Sequence, residues 1–381
     1  STPIKSSAAS DVYKRQDIDD ETYERYNNMT GELKHKILDS ITQNEDEEYC
    51  FKLCDGKCPM LDDNGLCEIH KNLGEDYLGV VCKQFPRYSE YYGTIKESGI
   101  GLACEEAARI ILSENRPFSM ETAACDEEYE PSSEYDSSFA LQIFAAREAV
   151  FKILAKESLS IHEKLIVILD MGSKIQQCIN TDEYDNIKSV VNDYLKEGIA
   201  HTLDETRNLS DSGQFEDISL QQGIRQILYP YEEMEVLNPE WEVILKDIID
   251  SLFEQMSDEE YNILNEEFGT YMVSRAYEYR QLLEYLVFRY FAKSIYDYDF
   301  LGKCQMLVTN FFVIRQMDII RWLDNHREYS FKDRMDVVHI FSRQVEYSED
   351  NIENLYEDFI FDDIFKTDSL IAILWIDSEN I

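Results

Sequence analysis

Proline and glycine are scarce in this chain, 7 and 14 among 381 residues, and bases are outnumbered: 36 Lys and Arg face 77 Asp and Glu, a formal net charge of −41. Such an acidic balance repels phosphate backbones and anionic membrane surfaces, which argues against nucleic acid as a partner. It attracts basic partners, a lysine-bearing protein among them, although solubility alone also accounts for it. Long apolar runs are missing. The most apolar stretch, Met306 to Leu323, is interrupted by Arg315, Gln316 and Asp318, so no membrane span is predicted. There is no Gly-x-Gly-x-x-Gly loop, P-loop, Gly-x-Ser-x-Gly elbow or His-Glu-x-x-His pair, so no Rossmann-type methyltransferase domain is visible. Neither an internal repeat nor a coiled-coil heptad is found. No export signal accompanies the clustered cysteines, which predicts a reducing cytoplasmic setting.

What is present is a globular, helix-forming chain, 44% hydrophobic. Past Pro239 there is no further proline, and only Gly269 and Gly302 among glycines, so long helices are expected over 261–296 and 300–326. Helical spacing also predicts helices over 19–41, 105–114, 140–156, 163–179 and 184–202, with a short one near 74–81. Residues 88–96 read as a strand or hairpin, and 203–216 as a polar loop. Pro230 and Pro239 are expected to punctuate the connection after that loop. The fold class is mainly α, a cysteine-rich metal or iron–sulfur module followed by an α-helical domain. Residues 11–16 look like a translated sequencing adapter, which would make 1–16 non-native. The expected layout is then 17–125 for an N-terminal helix and the cysteine module, 126–138 for an acidic linker, and 139–381 for the helical domain.

Six of the nine cysteines, Cys50, Cys54, Cys58, Cys67, Cys82 and Cys104, fall in one stretch. Thiols at such short intervals, with Gly56, Gly65 and Pro59 between them, suit a chain folded back around a soft metal or an iron–sulfur cluster. Inert buried cysteines would not explain the clustering, and a disulfide scaffold belongs to small secreted domains. Cys54, Cys58, Cys67 and Cys82 are expected to converge, with Cys50 and Cys104 as further ligands. The spacing is neither that of a zinc finger nor the Cys-x3-Cys-x2-Cys of radical S-adenosylmethionine enzymes. An iron–sulfur cluster, [4Fe–4S] first, is favoured, with zinc as runner-up.

The order Cys54-x3-Cys58-Pro59, Gly65-Leu66-Cys67-x-Ile69, Leu73-Gly74, Cys82-x2-Phe85-Pro86-Arg87 and Cys104-x-Glu106-Ala107-Ala108-Arg109 resembles the cysteine-rich region of the flagellin lysine-N-methylases, the FliB family. The resemblance covers about fifty-five residues, and beyond them the chain is similar only in being long, acidic, tyrosine-rich and helical. It implies methyl transfer from S-adenosylmethionine to lysine side chains of flagellin. The alternative is a non-enzymatic metal-binding or cluster-carrying protein. Relatives of this type carry further cysteines upstream, which bears on any count of ligands.

Other candidates lie outside the motif. Arg280 and Arg315 interrupt apolar helix faces, and a buried arginine needs an anionic partner. That partner is either an internal carboxylate or the carboxylate of bound S-adenosylmethionine. Among 25 tyrosines, Tyr277, Tyr279, Tyr285 and Tyr290 are dense enough to form an aromatic wall for an ammonium or sulfonium group. Cys178 and Cys304 read as core residues, His70 as a surface histidine, and Lys83 and Arg87 as a basic face or as charges offsetting a thiolate cluster.

Overall fold

The computed structural model describes residues 18–44, 48–54, 57–124, 136–211 and 218–379. The adapter-like residues 1–16, Gly56, Cys125 and most of the expected linker, 126–135, lie outside them.

The chain begins with α1 (Asp20–Asn28) and α2 (Glu32–Asp39). Asp19 caps α1, its carboxylate accepting the Thr22 amide at 2.8 Å. A single helix over 19–41 was expected, but Gly31, at φ 111°, turns the chain between the two. The antiparallel ladder of β1 (Ile41–Gln43) and β2 (Tyr49–Phe51) follows, with Thr42 opposite Cys50. Then come α3 (Glu68–Leu73), α4 (Val80–Gln84), the hairpin of β3 (Arg87–Tyr92) and β4 (Ile95–Ile100), and α5 (Glu105–Leu112). The hairpin spans the segment read as strand-forming, and pairs Tyr88 with Gly99.

The remaining elements are helices: α6 (Ser137–Leu154), α7 (Ile161–Asn180), α8 (Ile187–Asp193), α9 (Ile199–Asp211), α10 (Leu220–Glu232), α11 (Pro239–Ile248), α12 (Asp258–Met272), α13 (Ala276–Tyr290), α14 (Ser294–Asp297), α15 (Phe300–Asp324), α16 (Phe331–Val345), α17 (Glu349–Phe361) and α18 (Thr367–Glu379). The mainly α class is thus what the chain adopts. Reciprocal capping boxes fix three starts, Ser160 with Glu163, Ser257 with Glu260, and Ser330 with Asp333. Four local expectations change. The polar loop over 203–216 is helical to Asp211. Pro230 sits inside the last turn of α10, while Pro239 opens α11 at its first position. The helix over 184–202 passes through a wide turn at Tyr194–Gly198. The helix over 261–296 is broken at Val273–Arg275 and again at Phe291–Lys293.

Two hydrophobic cores form. The smaller gathers Ile18, Tyr26, Ile37, Phe51, Met60 and Ile69. The larger is centred on α15, which packs on α7, α10, α11, α13 and α16 and is buried along nearly its whole length. Each fully buried Phe, Leu or Ile there contributes roughly 1.5–3 kcal/mol relative to exposure. The larger core also takes in Tyr92, Leu102, Ala108 and Leu112, so the β3–β4 hairpin and α5 are built onto the helical body. Among the described residues, no helix is long and apolar enough to cross a membrane.

Burying this much helix in an acidic chain brings charges inside, and they arrive paired. Arg334 of α16 donates to Glu278 of α13 at 3.0 Å and to Asp318 of α15 at 2.6 Å, tying three helices at one point. Tyr279 and Tyr329 donate to the same Asp318 carboxylate. Burial pushes that carboxyl above its ordinary range, against the pull of Arg334.

Candidate functional site: a cysteine module and an aromatic cavity

The cysteine module is shaped by short-range hydrogen bonds. Cys54 and Lys57 exchange backbone bonds, and Leu61 and Cys67 form an isolated bridge. Asp62 accepts the amides of Asn64 and Leu66 at 2.9 and 3.0 Å and pairs with Lys71 at 2.8 Å. These bonds hold its carboxyl low, at about 2. The resulting turn sets Cys58 and Cys67 against the small core beneath them. Burial pushes the Cys58 thiol up to about 11, and the nearby Cys67 and Cys54 add to the effect. The Tyr26 hydroxyl is likewise raised, by burial first and then by Cys82 and Cys67.

The module therefore places Cys54, Cys58 and Cys67 as electrostatic neighbours, and Cys67 and Cys82 both act on Tyr26. Cys54 and Cys82 are exposed. Cys50 is buried in the β1–β2 ladder, and Cys104 is buried at the start of α5, a helix that packs on α13 and α16. By identity and neighbourhood the thiols suit a soft cation. Among the described residues, no group of three His, Cys, Asp or Glu is drawn together to hold one.

Both arginines singled out above have internal partners. Arg315 donates to both oxygens of Asp377 at 3.0 and 2.8 Å and to the Asn265 carbonyl at 3.1 Å, all buried. His162 Nε2 lies 2.7 Å from the same carboxylate. This cluster joins α7, α15 and α18. Arg280 pairs with Glu284 at 2.7 Å and donates to Asn115 Oδ1 and the Arg116 carbonyl at 2.9 and 3.0 Å. Each guanidinium thus has a structural task that needs no bound carboxylate.

Arg280 also braces a cavity of about 300 Å³ where the hairpin, the segment 116–119 and α13 meet. Tyr88, Phe118, Tyr285 and Phe288 line it, with Gln281 and Glu284 as its polar side chains from α13. The segment is held in three ways. Phe118 stacks on Phe151 at 4.2 Å between ring centroids. Gln281 Nε2 donates to the Glu114 carbonyl at 2.5 Å, and Arg280 holds Asn115 and Arg116. On the other wall, Tyr88 lies across Gly99. A Cβ on residue 99 would fall 2.6 Å from the Tyr88 hydroxyl and 3.1 Å from the Phe288 ring, so glycine is what lets the hairpin close on α13.

Arg116 lines the cavity and donates to the Ile110 carbonyl at 2.8 Å, and the buried charges around the cavity are paired. Arg147 makes a two-pronged pair with Glu97, its guanidinium 5.7 Å from the Phe288 ring centroid. Arg289 pairs with Glu346 at 3.2 Å and lies 4.6 Å from the Tyr88 centroid. Glu346 also accepts from Tyr285 and Tyr290 at 2.8 and 3.1 Å. Burial raises the Glu284 carboxyl above its ordinary range, against Arg280 and Lys164. Burial, then the Arg280 charge, holds the Lys164 amine below its usual value. Of the four tyrosines named from sequence, Tyr285 lines the cavity. Tyr279 and Tyr290 are committed to Asp318 and Glu346, and half-buried Tyr277 is not among its lining residues. Phe118, Gln281 and Phe288 escaped the sequence reading. The one local signal for this wall was Tyr88 set opposite a glycine in a hairpin.

A family model described as the FliB lysine N-methylase C-terminal domain matches residues 147–373, more than half of the chain and the whole of α13. The chain belongs to the FliB lysine N-methylase family. It is 37% identical over 59 residues to the flagellar biosynthetic protein FliU of Salmonella muenchen, a match covering 16% of this chain and 35% of that one. It is equally similar, over the same length, to the lysine-N-methylases of Salmonella typhimurium and Salmonella choleraesuis, covering 15% of each. The chain therefore spans well under two thirds of these curated relatives in the matched region. No solved structure matches it.

Proposed function

We propose that this protein transfers a methyl group from S-adenosylmethionine to lysine side chains of flagellin. The observation that carries the reading is the family match over 147–373, which contains the helix α13 that builds the aromatic cavity. In the reaction the lysine nitrogen lone pair attacks the sulfonium methyl carbon. The carbon–sulfur bond breaks, its electrons stay on sulfur, and S-adenosylhomocysteine leaves. The nitrogen then gives up one proton. An amine attacks only when neutral, and free lysine has a pKa of about 10.4. The protein's part is to align the two groups, exclude water and neutralise the amine. A surface of net charge −41 draws a basic side chain in from solution.

The cysteine module is proposed to hold a metal, with Cys54, Cys58, Cys67 and Cys82 as ligands and Cys50 and Cys104 as outlying candidates. An iron–sulfur cluster is preferred to zinc, and when bound it would supply cross-links that brace residues 54–82. The reaction is proposed to take place in the cytoplasm.

The test is purified protein incubated with methyl-labelled S-adenosylmethionine and flagellin, followed by peptide mapping. Label on lysine Nζ is the expected result. Cofactor binding with label on another protein would move the substrate. No cofactor binding, together with iron or zinc retained through purification, would leave a metal carrier in place of an enzyme.

A further inference from the structure

Of the charged side chains that line the aromatic cavity, one is answered and one is not. Glu284 is paired with Arg280 at 2.7 Å. Arg116 gives one bond, to the Ile110 carbonyl at 2.8 Å, and among the described residues no carboxylate pairs with it. Unlike the buried charges nearby, Arg116 is exposed, so an incoming ligand can reach its remaining N–H donors. A guanidinium in this position offers a two-pronged hold on a carboxylate.

The rest of the lining selects the body of the ligand. Tyr88, Phe118, Tyr285 and Phe288 present rings. At Gly99 bare backbone replaces a side chain that would strike Tyr88 and Phe288. Rings of this kind stack on a flat heterocycle. A volume of about 300 Å³ is at the small end of ligand sites, which run from roughly 300 to 1,000 Å³, and it admits a ring system rather than a protein segment. The ligand so described is a flat aromatic body with a carboxylate on a short tail. A lysine side chain within a protein has neither part. S-Adenosylmethionine has both, in its adenine ring and its amino-acid carboxylate. We propose that the cavity is the cofactor site, its rings taking the adenosyl group of S-adenosylmethionine and Arg116 holding the carboxylate. This rests on the methyl-transfer reading above. It adds where the cofactor lies, and it gives Arg116 a task that Arg280 and Arg315 cannot take, since both are spent on internal partners.

The test is direct binding, without turnover, to the purified full chain. S-Adenosylhomocysteine carries the carboxylate tail, whereas methylthioadenosine keeps the adenosyl group and lacks that tail. Both are titrated by isothermal calorimetry into wild type and the variants. Arg116→Met should weaken S-adenosylhomocysteine by about tenfold to a hundredfold, the loss expected for a charge-assisted bond. It should leave methylthioadenosine unchanged, which also shows that the cavity is intact. Arg116→Lys keeps the charge and should lose less. Ser119→Trp, at an exposed residue of the lining, should weaken both compounds together. Tight S-adenosylhomocysteine binding that is indifferent to all these variants would overturn the proposal and place the cofactor elsewhere, with the methyl-transfer reading intact. Equal loss of both compounds in Arg116→Met would make that arginine a structural brace and overturn its role. Binding of neither compound to wild type would remove the cavity assignment and the methyl-transfer reading together. Binding with the expected signatures, but no methyl transfer to any protein, would leave the cofactor site standing and remove the reaction assigned to it.

Discussion

Replacing Arg315 by Met separates a structural arginine from one that binds a cofactor. In the folded protein this guanidinium has three buried acceptor contacts, two on Asp377 and one on the Asn265 carbonyl. Methionine fills a similar volume but leaves Asp377 with His162 alone, and the Asn265 carbonyl loses this donor. Removing one member of a buried ion pair typically costs about 3–5 kcal/mol, because the other charge stays behind uncompensated. Native domains have only about 5–15 kcal/mol in all, so the urea midpoint should fall steeply. The double variant Arg315→Met/Asp377→Leu should regain much of the loss, since replacing both charges removes the stranded one. The pH dependence carries a signature as well. Burial pushes the Asp377 carboxyl up, but Arg315 and His162 outweigh it and hold it below the ordinary range. Its contribution is therefore present above the unfolded value of about 3.9 and disappears as pH falls through the lower folded value. Wild type should show this acid limb, and in Arg315→Met, where His162 alone opposes burial, it should shrink. The assay is urea unfolding followed by circular dichroism between pH 2 and 7. A loss below about 1 kcal/mol, with S-adenosylhomocysteine binding abolished, would refute the reasoning and return Arg315 to the cofactor.

Gly99→Ala should destabilise by about 1–3 kcal/mol in urea titrations, because the new methyl overlaps the Tyr88 hydroxyl and the Phe288 ring; full stability would mean the hairpin slides freely on α13. Burial, then Arg343, pushes His339 down to about 4, against its bond to the Ala103 backbone. The unfolded chain binds the extra proton at about 6.5, so stability should rise with pH between about 4 and 6.5, by on the order of 3 kcal/mol. His339→Gln should flatten that slope, and an unchanged slope would place the titration elsewhere. In metal-free protein, Cys58 should resist iodoacetamide at pH 8 while exposed Cys54 reacts, since the Cys58 thiol is pushed up to about 11; equal labelling by mass spectrometry would contradict this. Adding zinc or reconstituting iron and sulfide should release protons and protect both thiols. Metal uptake unaffected by Cys58→Ser would remove that ligand from the proposed set.

The long helix from Phe300 was legible because it has no proline, a single early glycine and an acidic cap, Asp299. The breaks at Val273–Arg275 and Phe291–Lys293 were not, because neither contains proline or glycine; chain direction there answers to packing between helices that are distant in sequence. The turn at Gly31 carried its signal openly and was overlooked. For the arginines, periodicity placed both on apolar faces but could not name a partner. Asp377 lies 62 residues from Arg315, and such pairings appear only once the helices are stacked. The cavity was hidden for the same reason. Phe118, Gly99 and Gln281 come from a segment without regular structure, a strand and a helix, and no local pattern links them.

The His162–Asp377 contact bridges 215 positions of sequence. During synthesis, at about 5–20 residues per second, α7 must wait roughly 10–40 s for α18 to emerge and close over it. For that interval the apolar face that α7 gives to α18 stays open to solvent and to other nascent chains. An acidic chain repels its own copies, so the net negative charge also protects the half-made protein from aggregation. High salt would weaken that protection and lower soluble yield without touching the finished fold.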